Sequence, residues 1–520
     1  MESERSSASV LLNGLSKLKW NLLVKGLLVG AVSGILAVLY RIAIEYGTKT
    51  SLGIYAYLRA HPTYIALWIF VVLAGGLFVA WLVALEPMAS GSGIPQVEGV
   101  VLFGLKMKWH MILVVRFLGG ILCSFFGLSL GREGPSVQIG AAGGQAVSRL
   151  LAEHDAEENY LITSGAAAGL SAAFSAPLSG VMFALEEIHR SFSPLILVSA
   201  FAASIVADFI SKYFFGLRPV LHFYPIPQLP VSYYWYLLPV GIIAGLVGAL
   251  MNATLLSFQQ FYKGIPRRIR PCVAMLIALP CGLFLPLTLG GGSDLIALAE
   301  GAKGGVVVLI IYLVVKLLFT SVSFGSGVPG GIFMPILTVG ALSGSILSLT
   351  ATRFGFPIEY VPVFAICAMA GTLASSVKAP ITAILLTAEM SGSLVHTLPV
   401  AACAFIGLLV SDILKIDPIY ETLLQRFIDR NGTTMTANRR GGIVEVPVEF
   451  GCEVVGKAIR DVQWPQGILI VAIRRGAKEL VPQGSTVIVP GDYLIALCPQ
   501  GREHEAKEAM RKLCLVQKEN

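Results

Sequence analysis

Hydrophobic residues run along most of this chain in long blocks rather than alternating with polar ones. Such blocks lie near residues 25–47, 64–85, 195–214, 234–256, 270–290, 305–323 and 394–412. Each is about long enough to cross a ~30 Å hydrocarbon core as a helix. Between them lie apolar pieces that are too short or are broken by Gly and Pro: 93–104, 111–130, 135–150, 160–175, 177–188, 331–350, 361–374 and 379–390. A backbone that breaks inside a bilayer leaves unpaired N–H and C=O groups, and it persists only where protein or a polar cavity satisfies them. The pattern predicts a polytopic α-helical membrane protein with a transport site at the breaks.

The last part of the chain reads differently. Residues 443–449, 468–473, 485–489 and 493–497 are alternating or β-branched and are bounded by Gly and Pro, which predicts strands. Residues 502–514 read as a charged amphipathic helix. This predicts a small α+β domain over 441–520, joined through a polar linker, 431–440, to a membrane domain spanning 1–430.

Charge sharpens the division. Of the 520 residues only 13% are charged and 55% are hydrophobic, against about 25% charged in a typical soluble protein. Residues 1–430 hold 26 Lys+Arg and 21 Asp+Glu, whereas 441–520 hold ten of each. A soluble enzyme is excluded. Basic residues gather at Lys17, Lys19 and Lys25 and at Lys263, Arg267, Arg268 and Arg270. Such clusters mark the cytoplasmic side; without aromatic interleaving they do not indicate nucleic acid. Glu2 and Glu4 do not suit the basic start of a signal peptide, so the first segment is expected to be retained. Eight cysteines without a CxxC spacing read as buried free thiols, and no histidine pattern suggests a metal.

An internal repeat underlies the broken segments. GREGP (131–135) has a partner 200 residues on, GIFMP (331–335), and Gly140, Ala141 and Gly144 match Gly340, Ala341 and Gly344. Ala176, Pro177 and Glu186 match Ala379, Pro380 and Glu389 at an offset of 203, and GSGIP (91–95) recurs as GSGVP (325–329) at another. The order predicts a duplicated unit and leaves an inverted and a parallel relation equally open.

Each Gly/Pro motif has the composition of a helix start. Glycine permits a sharp turn and close approach, and proline loses nothing in a first helical turn. Helix N-termini carry free N–H groups and about half a positive charge, so several converging form an anion site. Close-packing points are the other reading of the same glycines.

GSGIP (91–95), GREGPSVQ (131–138), Glu186-Glu187 after AFSAPLSG, GGIFMP (330–335) and Tyr420 closely resemble the CLC family of chloride channels and proton-coupled chloride transporters, over roughly 25–428. The resemblance implies a homodimer with one anion path per subunit, each subunit folding as two inverted halves of short, tilted helices. It implies that Ser92 and Tyr420 offer hydroxyls, and Ile332 and Phe333 backbone N–H groups, to a central chloride. Gly91, Gly93 and Gly331 would permit the approach, and Arg132, Glu133 and Gly134 would surround an outer site. Glu133 would be the gate, competing with chloride when ionised, unless a base such as Arg116 pairs with it. Glu187 would pass protons from the cytoplasmic face, as in the family's exchangers, which favours H+/Cl− exchange over a channel; Glu186 would be structural. The serine of GSGIP fits the chloride rather than the nitrate type. Gln96 and Arg116 depart mildly from bacterial relatives and are expected not to touch the site.

The tail resembles the TrkA-C domain, which implies dimerisation and a ligand such as cyclic di-AMP, with Arg474, Arg475 and Lys478 as phosphate candidates beside the plainer reading of a solvated strand end. No dinucleotide motif is present. Beyond chloride and protons, no cofactor is expected. The combination points to a prokaryotic inner membrane with a cytoplasmic tail.

Overall fold

In the computed structural model the chain forms two compact units, Met1–Thr433 and Thr434–Asn520. The structure describes residues 2–151, 155–217, 219–221, 227–301, 304–431, 442–449, 451–475, 478–498 and 503–514; most of the expected linker lies outside them.

The first unit is helical. Its first half comprises α1 (Glu2–Ala60), α2 (Ile65–Leu85), α3 (Ile94–Phe103) and α4 (Trp109–Phe125). There follow α5 (Glu133–Leu151), α6 (Asp155–Phe174), α7 (Pro177–Phe183) and α8 (Pro194–Phe215). The second half begins with α9 (Leu237–Phe261), α10 (Arg270–Phe284), α11 (Ser293–Glu300) and α12 (Gly305–Gly325). It ends with α13 (Phe333–Thr352), α14 (Val361–Val377), α15 (Pro380–Ser391), α16 (Thr397–Ile413) and α17 (Ile419–Asn431).

Among the described residues eight stretches are long and apolar enough to cross a membrane. Two of them, Phe333–Thr352 and Ile358–Val377, were expected to be too short or broken. Glycine, alanine and serine lower their apparent apolarity, yet those residues let α13 and α14 pack closely: a Cβ on Gly344 would lie 2.3 Å from the carbonyl oxygen of Phe364. Conversely, the apolar run 270–290 yields only the 15-residue α10, because Leu285-Pro286 opens a short 3-10 turn.

The two halves are tied by contacts that each returns to the other. Gly131 N–H donates to Gly331 C=O at 2.7 Å and Gly331 N–H donates back at 2.8 Å. Glu389 accepts from the N–H groups of Leu178 (3.1 Å) and Ser179 (2.8 Å) and from the Ser179 hydroxyl. Glu186 accepts in the same way from Ile381 (3.2 Å) and Thr382 (2.8 Å) and from the Thr382 hydroxyl at 2.7 Å. Exchange of equivalent contacts is the mark of a two-fold relation. Helices α7 and α15 start after Ala176 and Ala379, whose side chains cannot cap, so each receives its cap from the opposite half.

The second unit is a four-stranded antiparallel sheet in the order β1-β4-β2-β3, from β1 (Gly442–Pro447), β2 (Leu469–Arg475), β3 (Lys478–Leu480) and β4 (Asp492–Cys498), with α18 (Glu503–Cys514) packed on β1. The run 485–489 is not a strand; only Val487 makes an isolated bridge, to Ala458. The third strand is instead the polar Lys478–Leu480, which carries no β signature. Asp492 is fully buried, accepts from Arg475 Nε and Nη2, each at 2.8 Å, and accepts from Val489 N–H. Burial pushes its carboxyl up, but the Arg475 and Val489 donors outweigh that and hold it below the usual range. A carboxyl lower in the folded than the unfolded state stabilises above its unfolded value of about 3.9 and loses that contribution as pH falls below it. Urea unfolding of segment 434–520, read on Trp464, should therefore weaken from pH 5 to pH 3, and Asp492→Asn should flatten that decline. An equally steep decline in the variant would refute the assignment.

Candidate functional site

Three glycine-bounded helix starts meet inside the first unit. Gly91 (φ 62°) and Gly93 (φ 94°) lie in the left-handed region and deliver the chain into α3. Gly330 N–H donates to Gly91 C=O at 3.0 Å, joining the GSGIP turn to the GGIFMP turn, and the Gly131–Gly331 pair joins that turn to GREGP. Gly134 faces Ser92 so closely that a Cβ would lie 2.4 Å from its Oγ and 2.7 Å from its carbonyl oxygen. Gly134→Ala would need the backbone of Ser92 to move, at a cost of about 1–3 kcal/mol. The variant should melt lower in detergent and carry less chloride; wild-type transport would show that the turns are not packed this tightly.

The structure brings several of the candidates together. Ser92, Glu133, Ile332, Phe333 and Tyr420 are all buried. Tyr420, on the first turn of α17, neighbours Ser92 and is in electrostatic range of both Glu133 and Glu187. The Ser92 and Tyr420 hydroxyls and one oxygen each of Glu133 and Glu187 are buried without a hydrogen-bond partner. Buried polar atoms are normally paired, so these groups are the candidates for contact with a small ligand. Helices α5 and α13 also start there, and the backbone N–H groups of Glu133 and Met334 at those starts hold the Glu133 carboxylate, chemistry suited to a small anion.

On one side Glu133 opens on a cavity of about 260 Å³ that Glu45, Arg132, Leu130, Gly292 and Met334 also line. Arg132 is tied to Glu45 at 2.5 Å, and Glu45 also accepts from Arg41 at 3.1 Å. Glu133 makes no ion pair among the described residues, and Arg116 is not its partner. That guanidinium, fully buried, donates to Gln138 Oε1, to Gly91 C=O at 2.6 Å and to Ser90 C=O at 3.3 Å. Gln96 also donates to Ser90 C=O, at 2.9 Å. Both residues therefore hold the backbone that leads into the GSGIP turn by its carbonyls.

Arg116 has a counterpart 200 residues on. Lys316, also fully buried, donates to Thr288 C=O at 3.0 Å and Gly290 C=O at 2.7 Å. Gly290 (φ 62°) and Gly292 (φ 104°) repeat the conformations of Gly91 and Gly93, and α11 starts after Gly292 as α3 starts after Gly93. The structural copy of GSGIP is thus GGGS (290–293), whereas GSGVP (325–329) follows α12 and mirrors residues 125–129 after α4.

Glu187 sits in a π-helical turn, Ala184–Ile188, that continues α7. Such turns re-aim a side chain out of α-helical register. Its neighbours are Glu98, Arg190, Glu186 and Glu421. Glu98, wholly buried on α3, pairs with Arg190 Nη2 at 2.8 Å, and Arg190 also reaches Glu421 at 3.5 Å. Glu98 escaped sequence reasoning, although an acid inside the apolar run 93–104 was a signal.

In the second unit, Arg474 is paired with Glu445 and lies 5.0 Å from the Tyr493 ring, and Arg475 is paired with Asp492. Both side chains stay partly exposed beside their carboxylate partners. Among the described residues no cluster of His, Cys, Asp and Glu could hold a metal.

The family model described as "Voltage gated chloride channel" matches residues 75–412, and that of the TrkA-C domain matches 443–511. The H(+)/Cl(-) exchange transporter ClcA of Citrobacter koseri is 33% identical over 81% of this chain and 92% of its own. That of Salmonella arizonae is 32% identical, over 81% and 91%. The crystal structure of a slow cyanobacterial Cl−/H+ antiporter superposes with a TM-score of 0.75 at 28% identity, covering 79% of this chain and 99% of that one. With the duplicated helical unit and its three convergent turns, these matches place the chain in the CLC family of voltage gated chloride channels and transporters.

Proposed function

We propose that the protein exchanges chloride for protons across a prokaryotic cell membrane. The observation that carries this is the pair of buried carboxylates, Glu133 and Glu187, both in range of Tyr420 and both with an unpartnered oxygen. A passive chloride path requires no second buried acid. Chloride would rest between the Ser92 and Tyr420 hydroxyls and the N–H groups of Ile332 and Phe333, with Arg132 and Gly134 bounding an outer position. An ionised Glu133 carboxylate is itself an anion and competes for the same helix N-termini. Protonation removes its charge and frees the position for chloride. Glu187, beside Glu98 and Arg190, would relay the proton from the cytoplasmic side.

The division into a membrane domain (1–430), linker (431–440) and cytoplasmic tail (441–520), and a homodimer with one path per subunit, belong to the same proposal. The tail would regulate transport. A nucleotide such as cyclic di-AMP that used Arg474 or Arg475 would compete there with Glu445 and Asp492. The test is reconstitution into liposomes with simultaneous chloride and proton recording. A chloride gradient should drive protons uphill; chloride flux with no proton coupling would establish a channel instead.

A further inference from the structure

The basic loop noted in the sequence leads to a second cavity. It measures about 250 Å³ and is lined by Arg267, Arg270 and Arg430 together with Ser90, Ser326 and Phe427. No carboxylate lines it, and none of its three arginines has an ion pair among the described residues. Arg430 lies in the field of Arg267, Arg270 and Arg426, and its Nη2 is buried without a hydrogen-bond partner. Four cations gathered without a counter-charge are held against mutual repulsion, which a bound anion would relieve.

The opposite wall is apolar. Ala80, Val83 and Ala84 of α2 close the cavity, and the adjoining face of that helix exposes Leu77, Phe78, Trp81 and Leu85. These side chains belong to a stretch long and apolar enough to span the membrane, so one wall of the cavity continues into a lipid-facing surface. Chloride needs neither so large a space nor an apolar wall. Guanidinium forks, by contrast, match the oxygens of phosphate, and basic pockets between helices on the cytoplasmic side suit lipid headgroups.

We infer that this cavity is a binding site for a phosphate-bearing anion, held by Arg267, Arg270 and Arg430, with either a lipid headgroup or a soluble polyphosphate as its source. It shares Ser90, Gly327, Phe427 and Arg430 with the smaller cavity that contains Ser92. An occupant would therefore stand beside the inner approach to the chloride site; only this last consequence rests on the exchange reading.

The experiment uses delipidated full-length protein in detergent, with thermal unfolding and native mass spectrometry as readouts. The probes are short-chain phosphatidylglycerol, inorganic pyrophosphate and sodium chloride at matched ionic strength. The site predicts saturable binding that weakens about tenfold or more in Arg267→Gln/Arg430→Gln. If phosphatidylglycerol shows that behaviour, the source is lipid; if only pyrophosphate does, it is soluble. Equal binding to wild type and variant, an equal response to chloride, or no binding by either phosphate probe overturns the proposal. Arg267 is exposed, so Arg267→Gln alone serves if the double variant does not fold. Because binding is read directly, a negative result leaves the exchange reading intact, and a failure of exchange leaves this site standing.

Discussion

Glu133→Ala should abolish proton transport and leave chloride transport running. In liposomes carrying a chloride gradient, proton movement should fall by about 10²-fold or more, the scale lost when a positioned proton carrier is removed. Glu133 is the first residue of α5 and opens on the outer cavity, and no base is paired with it among the described residues. The alanine removes both the competing anion and the proton carrier. The orphan hydroxyls of Ser92 and Tyr420 and the N-termini of α5 and α13 remain for chloride. Glu133→Gln should behave similarly, because a neutral amide mimics the protonated acid. Were either variant to retain coupled proton flux, Glu133 would not be the carrier. Were both to lose chloride flux as well, the site's integrity, not its gating, would depend on that side chain.

The second large effect concerns the joint between the halves. Glu389→Ala removes three acceptor contacts from the start of α7, and Glu186→Ala removes three from α15. A side-chain cap contributes about 1 kcal/mol and charge at a helix N-terminus up to ~2, so each variant should lose about 2–3 kcal/mol. Against a total of about 5–15 kcal/mol, the double variant should be hard to purify folded. Each glutamine variant keeps its acceptor oxygen and should lose less. Melting of both alanine variants at the wild-type temperature would show that the reciprocal caps do not hold the halves together.

Much of this frame was legible in the letters. The offsets of 200 and 203 came from Gly, Pro and Glu that recur because the backbone needs them twice. What stayed hidden is instructive. The copy of GSGIP could not be found by spelling, because the repeated quantity is a pair of positive φ angles, shared by Gly91/Gly93 and Gly290/Gly292, while Pro95 has no equivalent. Arg116 and Lys316 looked unrelated until both were seen to hold those turns by their carbonyls. Glu98 was masked because a single acid changes a hydropathy average little. The strand Lys478–Leu480 forms through its pairing with β2, a tertiary cause that local composition does not record.

The bridge between Gly131 and Gly331 has one more consequence. Around it the backbone treats the two sides of the molecule nearly alike, so the main chain by itself offers little to distinguish outward from inward. The side chains supply the difference. Glu133 faces a counterpart that is Phe333, Arg132 one that is Ile332, and Ser92 one that is Gly291. Vectoriality is thus written on an almost direction-blind scaffold by a few letters, and exchanging residues across the axis is the route by which such a protein could come to be gated from its other face.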